Sequence, residues 1–162
     1  MRTNLYQGLS PKPPGLPTLL TTVDKVLALQ DVDIFSEVSS EELGYLAAIA
    51  REETHAAGTA IYRERDPAAA MYQVVSGRVR LHRGDLEITV AGPGQPFGTW
   101  ALFDDEPRVT AATALEETRV LRLDKEDFID LLADNVEITQ GVLKALVDRV
   151  RGLIGALGGP AQ

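Results

Sequence analysis

Between Gly58 and Asp124 the apolar residues stop returning every three or four positions and alternate with polar ones in short runs separated by glycine-bearing turns. That rhythm is the strongest constraint on the fold, because a period of two suits only extended chain with one face inward. In "MYQVVSGRVRLHR" it places Val79 and Leu81 on one face and Arg78, Arg80 and His82 on the other. "RGD" at 83–85 offers a tight turn, and "LEITVA" resumes the alternation with Leu86, Ile88 and Val90 pointing inward. "AGPGQP" is another turn cluster, and "VTAATA" and "TRVLRLD" supply two more strands. Short strands closed by glycine turns predict a small antiparallel sandwich or barrel.

Helical periodicity flanks this β-core. From Thr18 to about Gln30, Leu19, Leu20, Val23, Val26 and Leu27 recur at helical steps. "SSEE" at 39–42 is a capping-box signal, with Ser39 as N-cap and Glu42 three residues on, ahead of Leu43, Leu46, Ala47 and Ala50. Helix returns at Asp124, where "DKED" resembles a cap and Phe128, Leu131 and Leu132 share one side. A last helix runs from about Val136 to Leu157. Its Val136, Thr139, Leu143, Leu146, Val150, Leu153 and Leu157 form a heptad-type seam, which either packs back onto the β-core or pairs with a second copy. The predicted architecture is α+β: an antiparallel, jelly-roll-like β-roll between N-terminal helices and a long C-terminal helix. Residues 1–17, with the proline-rich "LSPKPPGLP", read as an extended tail, residues 18–157 as one domain, and residues 158–162 as a short tail.

Composition narrows the function classes. The chain has 162 residues, 44% hydrophobic and 25% charged, a balance that buries a core. A net charge of −8 argues against direct nucleic-acid binding, which needs a basic face; "RVRLHR" at 78–83 and "DRVRG" at 148–152 are only local basic spots. The absence of cysteine removes disulfides, thiolate chemistry and cysteine-bound zinc. No apolar run reaches the roughly 20 residues of a membrane span, and no secretory signal opens the chain, so a cytoplasmic location is expected. His55 and His82 are the two histidines, one before a turn and one on the outward face of a strand, so no metal site is expected. Ser76 lies beside a turn glycine with no nucleophile elbow, and no pair of carboxylates stands out; an enzyme, and hence any catalytic residue, is not expected.

One stretch remains unexplained by the fold pattern: "PFGTWALFDDEPRV", residues 96–109. Together with "AGTAIYRERDPAAAMYQVVSGRVRL" and "ALEETRVLRLDKEDFIDLL", and with this order of elements, it resembles the cyclic nucleotide-binding domain shared by the catabolite activator protein and protein kinase A regulatory subunits. The resemblance covers most of the chain and implies that residues 97–110 form a phosphate-binding cassette. Its ligand-contacting residues would then be Phe97, Gly98, Thr99, Trp100, Ala101, Leu102, Arg108, Val109 and Thr110. Gly98 matches the glycine that lets backbone approach the ligand, and Ala101 and Leu102 match the turn that offers amides. Arg108, after Pro107, matches the arginine that pairs with the cyclic phosphate, and Val109 stands where a small residue is usual.

Three positions depart from the family pattern. Thr99 occupies the place of the glutamate that accepts a hydrogen bond from the ribose 2′-hydroxyl, Trp100 that of a Leu or Ile, and Arg65 that of a frequent Gly. A hydrogen bond to a charged group contributes roughly 1.5–3 kcal/mol, so loss of the glutamate predicts about 10- to 100-fold weaker binding. Trp100 reads as core or pocket filler ahead of a base-stacking platform, and the acidic run at 104–106 as a solvated turn.

The resemblance implies a non-enzymatic regulatory domain without a cofactor, binding cAMP, cGMP or a related phosphate-bearing ligand. A homodimer through the last helix, or docking to a protein partner, is the expected assembly. The alternative is an interaction module that keeps the fold and has lost the ligand. A transcription factor would need a DNA-binding unit beyond the last helix, where "GALGGPAQ" follows instead.

Overall fold

The computed structural model describes residues 19–158, so the two predicted tails lie outside the described residues except for Gly158. Helix α1 (Thr22–Gln30) begins later than its periodicity predicts, because Thr21 and Asp24 close a capping box around its first turn. Helix α2 (Ser40–Ile49) starts as predicted, with Ser39 accepting from the Glu42 amide and Glu42 reaching back to Ser39. A 3-10 turn at Asp33–Phe35 joins the two helices.

Eight strands follow: β1 (Arg51–His55), β2 (Ala60–Tyr62), β3 (Ala70–Ser76), β4 (Val79–Arg83), β5 (Leu86–Ala91), β6 (Pro96–Phe97), β7 (Ala111–Ala114) and β8 (Thr118–Asp124). They form two antiparallel sheets, ordered β1-β8-β3-β6 and β2-β7-β4-β5. Helices α3 (Lys125–Asp134) and α4 (Val136–Ala156) complete the domain.

Strand β3 explains how the layers are held. Ala70, Tyr72 and Val74 point into the roll, where they meet Val79, Ala91, Phe97, Ala112 and Val120 of the other strands. The intervening Met71 and Val75 point the other way, against the helices. Both faces of the strand are buried, so it carries almost no polar residue. Its buried Gln73 donates to the Ala28 carbonyl at 2.7 Å and so ties β3 to α1.

Three expectations need correcting, and one open choice is narrowed. Leu86 and Ile88 of β5 are exposed and Val90 is only half-buried. Val79 pairs with Ala91, which sets Ala91 inward and puts Val90, opposite Arg80, on the outer face. The strand lies at a sheet edge, so its apolar residues carry no signal of which face is covered. Of the residues predicted for the first helix, Leu20 and Val26 pack against the core, joined by Ala28 and Leu29, whereas Leu19, Val23 and Leu27 are exposed, and Leu19 and Leu20 precede α1. Asp124 begins α3 without a side-chain cap, because Arg51 and Arg122 hold its two carboxylate oxygens at 2.6 and 2.7 Å. Lastly, α4 packs through Ile138, Gly141, Val142 and Ala145, leaving Val136, Leu143, Val150, Leu153 and Leu157 of the predicted seam exposed. Of the seam's apolar residues only Leu146 is packed against the core.

Candidate functional site

The cassette lies between β6 and β7. Phe97 pairs with Tyr72 across β6 and β3, and Gly98 then turns the chain at φ +71° into a 3-10 turn at Thr99–Leu102. That left-handed conformation favours glycine, and a Cβ at Gly98 would stand 2.6 Å from Arg108 Nη1. Gly98 therefore gives way to the arginine as well as turning the chain.

Arg108 is fixed at both backbone and side chain. Its amide donates to the Asp66 carbonyl at 2.9 Å and its carbonyl accepts from Arg65 at 2.8 Å. Arg65 holds φ +68°, the one non-glycine left-handed residue among the described residues, which accounts for the frequent glycine at this position in the resembled pattern. The guanidinium donates from Nη2 to the Ala70 carbonyl and from Nη1 to the Gly98 carbonyl, the latter at 3.3 Å. It lies over the Tyr62 ring at 4.0 Å.

The Arg108 side chain is almost wholly covered, at 8% exposure, and its Nε has no hydrogen-bond partner among the described residues. Burial pushes this guanidinium below the usual arginine range. Asp104, Asp105 and Glu106, which an ordinary surface arginine at this position would pair with, are exposed; Asp105 instead pairs with Lys125 at 2.5 Å. This buried cation is held by neutral carbonyls and an aromatic face and has no ion-pair partner among the described residues.

Above it opens a cavity of about 650 Å³. Gly98, Thr99, Trp100, Ala101, Arg108, Val109 and Thr110 all line it. Two of the nine predicted contacts do not. Phe97 is stacked on Tyr72 at 5.1 Å inside the roll, and Leu102 is buried in the core beneath the helices. Both side chains anchor the loop, as apolar residues flanking an exposed turn do when buried sites are within reach. Nor is the Ala101 amide free, since it donates to the Gly98 carbonyl at 3.2 Å.

Trp100 also differs from expectation. It is 57% exposed at the cavity mouth, neither core nor filler. Arg149 of α4 lies over its ring at 5.0 Å and reaches Asp33 at 3.6 Å. Tyr62, Asp33 and Arg149 are lining residues that sequence reasoning missed. For Tyr62 the inward parity of β2 was available as a signal. Asp33 and Arg149 come to the cassette from opposite ends of the chain, which no local pattern announces. The histidines take structural partners, His55 with Glu53 at 3.1 Å and His82 with Thr113 at 2.8 Å. Among the described residues no group of His, Asp and Glu has metal-binding geometry, and no helix is long and apolar enough to cross a membrane.

The fold is thus a β-roll between helices, with a glycine-led turn and a buried arginine at one cavity. The family model of the cyclic nucleotide-binding domain matches residues 52–135, and the chain belongs to that family. It is 28% identical over 134 residues to the CRP-like cAMP-activated global transcriptional regulator of Mycobacterium tuberculosis, covering 80% of this chain and 59% of that protein. To the cyclic AMP receptor protein of Thermus thermophilus it is 32% identical over 123 residues, 73% of this chain and 57% of the other. Among solved structures, the N-terminal domain of a transcriptional regulator from Streptomyces coelicolor A3(2) superposes with a TM-score of 0.74 at 31% identity, covering 83% of this chain and 98% of that one. The chain thus spans less than two thirds of the length of the two regulators from Mycobacterium and Thermus.

Proposed function

We propose that this domain is a non-enzymatic sensor that binds a cyclic nucleotide, cAMP or cGMP, or a related phosphate-bearing ligand, through Gly98 and Arg108. The observation that carries this reading is Arg108, a buried guanidinium that lines the cavity and has no ion-pair partner among the described residues. A phosphate diester is the counter-charge such a fork suits, and its worth is greatest where water is excluded. The family's relatives include a regulator named as cAMP-activated, which supports the same choice of ligand. A cytoplasmic setting suits a cysteine-free chain of this family.

The output would pass through α4. Arg149 brings this helix to the cavity mouth, so a ligand that changes the mouth changes the helix's contacts. Beyond that contact, Leu143, Val147, Val150, Ile154 and Leu157 form an exposed apolar stripe along α4. The stripe supports a homodimer through this helix or docking to a protein partner, and it also favours the second reading, an interaction module without a ligand.

Titration calorimetry with cAMP and cGMP separates the two. Heat at micromolar ligand that disappears in Arg108→Ala is the expected result. Silence with both ligands at millimolar concentration rejects the sensor and leaves the interaction module.

A further inference from the structure

A buried cation with no acid paired to it needs another attraction to hold it, and here that attraction is aromatic. We propose that Tyr62 is a positioning residue of the anion site: its ring is a shelf that holds the Arg108 guanidinium ready for an anion, and Thr110 fixes the shelf. The inference rests on the sensor reading above.

The Arg108 Cζ lies 4.0 Å from the centre of the Tyr62 ring and 6.0 Å from that of Tyr72. Asp66, whose carbonyl accepts from the Arg108 amide, turns its carboxylate to the Arg63 amide at 2.9 Å. Arg122 supplies the contrast on the far side of Tyr72. It lies 5.7 Å from that ring but is paired with Glu53 at 3.3 Å and Asp124 at 2.7 Å, so its charge is answered within the protein. A carboxylate beside Arg108 would compete for the same N–H groups, and an incoming phosphate would have to displace it. A ring face attracts the cation and takes none of its in-plane N–H donors.

The shelf is itself held firmly. Tyr72 and Phe97 lie against the buried Tyr62 ring with centroids at 6.1 and 6.2 Å, and the Thr110 side chain hydrogen-bonds its hydroxyl. Tyr62 and Thr110 both line the cavity. Thr110 follows Arg108 by two residues, so the loop that carries the cation also carries the group that orients its shelf. Holding a rotamer-rich side chain before the ligand arrives removes that ordering cost from binding. An aliphatic side chain at position 62 would fill the volume but offers no negative π-face. The ring therefore supplies attraction and the hydroxyl supplies orientation, and substitution separates the two.

The test compares the full-length wild type, Y62F and Y62L by calorimetry with cAMP and cGMP and by arginine side-chain NMR of the ligand-free chain, with circular dichroism as the check of folding. A proton over a ring face is shielded by the ring current. The Arg108 Nε–H, assigned by its absence in R108K, is therefore expected upfield of the exposed arginines in the wild type. It stays there in Y62F and moves downfield in Y62L. Nucleotide affinity is expected to stay within about threefold of wild type in Y62F and to fall about 5- to 30-fold in Y62L. Wild-type affinity in a folded Y62L, or a Y62F as weak as Y62L, overturns the ring's role while leaving Arg108 as the anion site. A wild-type Nε–H among the exposed arginines overturns it without any Tyr62 variant. Absence of heat from both nucleotides at millimolar concentration in the wild type overturns the sensor reading and this inference with it.

Discussion

At the floor of the cavity Arg108 is held by the Ala70 and Gly98 carbonyls above the Tyr62 ring, and at the mouth Arg149 lies over an exposed Trp100 and reaches Asp33 at 3.6 Å. Both arrangements place a guanidinium on an aromatic face, yet they do different physical work. The floor cation is desolvated, fixed by neutral oxygens and short of a counter-charge, so it gains most when an anion arrives. The mouth cation is half in water and already has a carboxylate partner, so its contacts are weak and exchangeable. Rigidity at one end and looseness at the other suit a site that seizes a phosphate and lets the rest of the ligand rearrange a helix.

The contrast breaks most visibly at Thr99, between the two ends. Thr99→Glu restores a carboxylate beside the cavity, and cAMP affinity is expected to rise about 10- to 100-fold by calorimetry. No gain would mean that the sugar end is reshaped rather than lacking one group. Next comes Gly98→Ala. Its φ of +71° and a Cβ 2.6 Å from Arg108 Nη1 predict a loss of about 1–2 kcal/mol in denaturant unfolding together with weaker ligand binding.

Alkaline pH tests the floor without mutation. Burial raises the Tyr62 and Tyr72 phenols above their ordinary value of 10.0. The folded chain then holds these protons more tightly than the unfolded one, so their contribution to stability is intact below pH 10 and is lost as pH rises beyond it. Tyrosine absorbance is expected to show two late phenols that ionise together with loss of structure. The smallest effect belongs to the mouth. Asp33→Asn is expected to change stability by less than about 0.5 kcal/mol, and less still at high salt. A larger change would give the mouth a structural role like that of the floor.

How far the chain's own letters reach follows the same division. Motifs whose partners lie within a few residues read correctly: the Ser39–Glu42 capping box, the inward Val79 and Leu81, and the Gly98 turn. Pattern fails where two faces of one element are both apolar or where the competing partner is remote. Helix α4 offers Ile138, Val142 and Ala145 on one side and Leu143, Val147 and Val150 on another, and periodicity alone does not choose between them. Asp124 looks like a cap until Arg51, far away in sequence, takes its carboxylate. In β5 the phase is set by Val79 opposite Ala91, a pairing that the strand's own residues do not reveal. Trp100 misleads for a related reason: bulk suggests burial, whereas its surroundings are set by Asp33 and Arg149 from distant segments.

The central claim is that Arg108 is a buried cation whose missing counter-charge is the phosphate of a cyclic nucleotide. Arginine side-chain ¹⁵N NMR tests it at the atom concerned. The Arg108 Nε–H resonance, assigned by its absence in Arg108→Lys, is expected to shift progressively as cAMP or cGMP is added and to saturate with the calorimetric Kd. A resonance that stays in place while ligand heat is observed, or that stays in place at millimolar concentrations of both nucleotides, would contradict it.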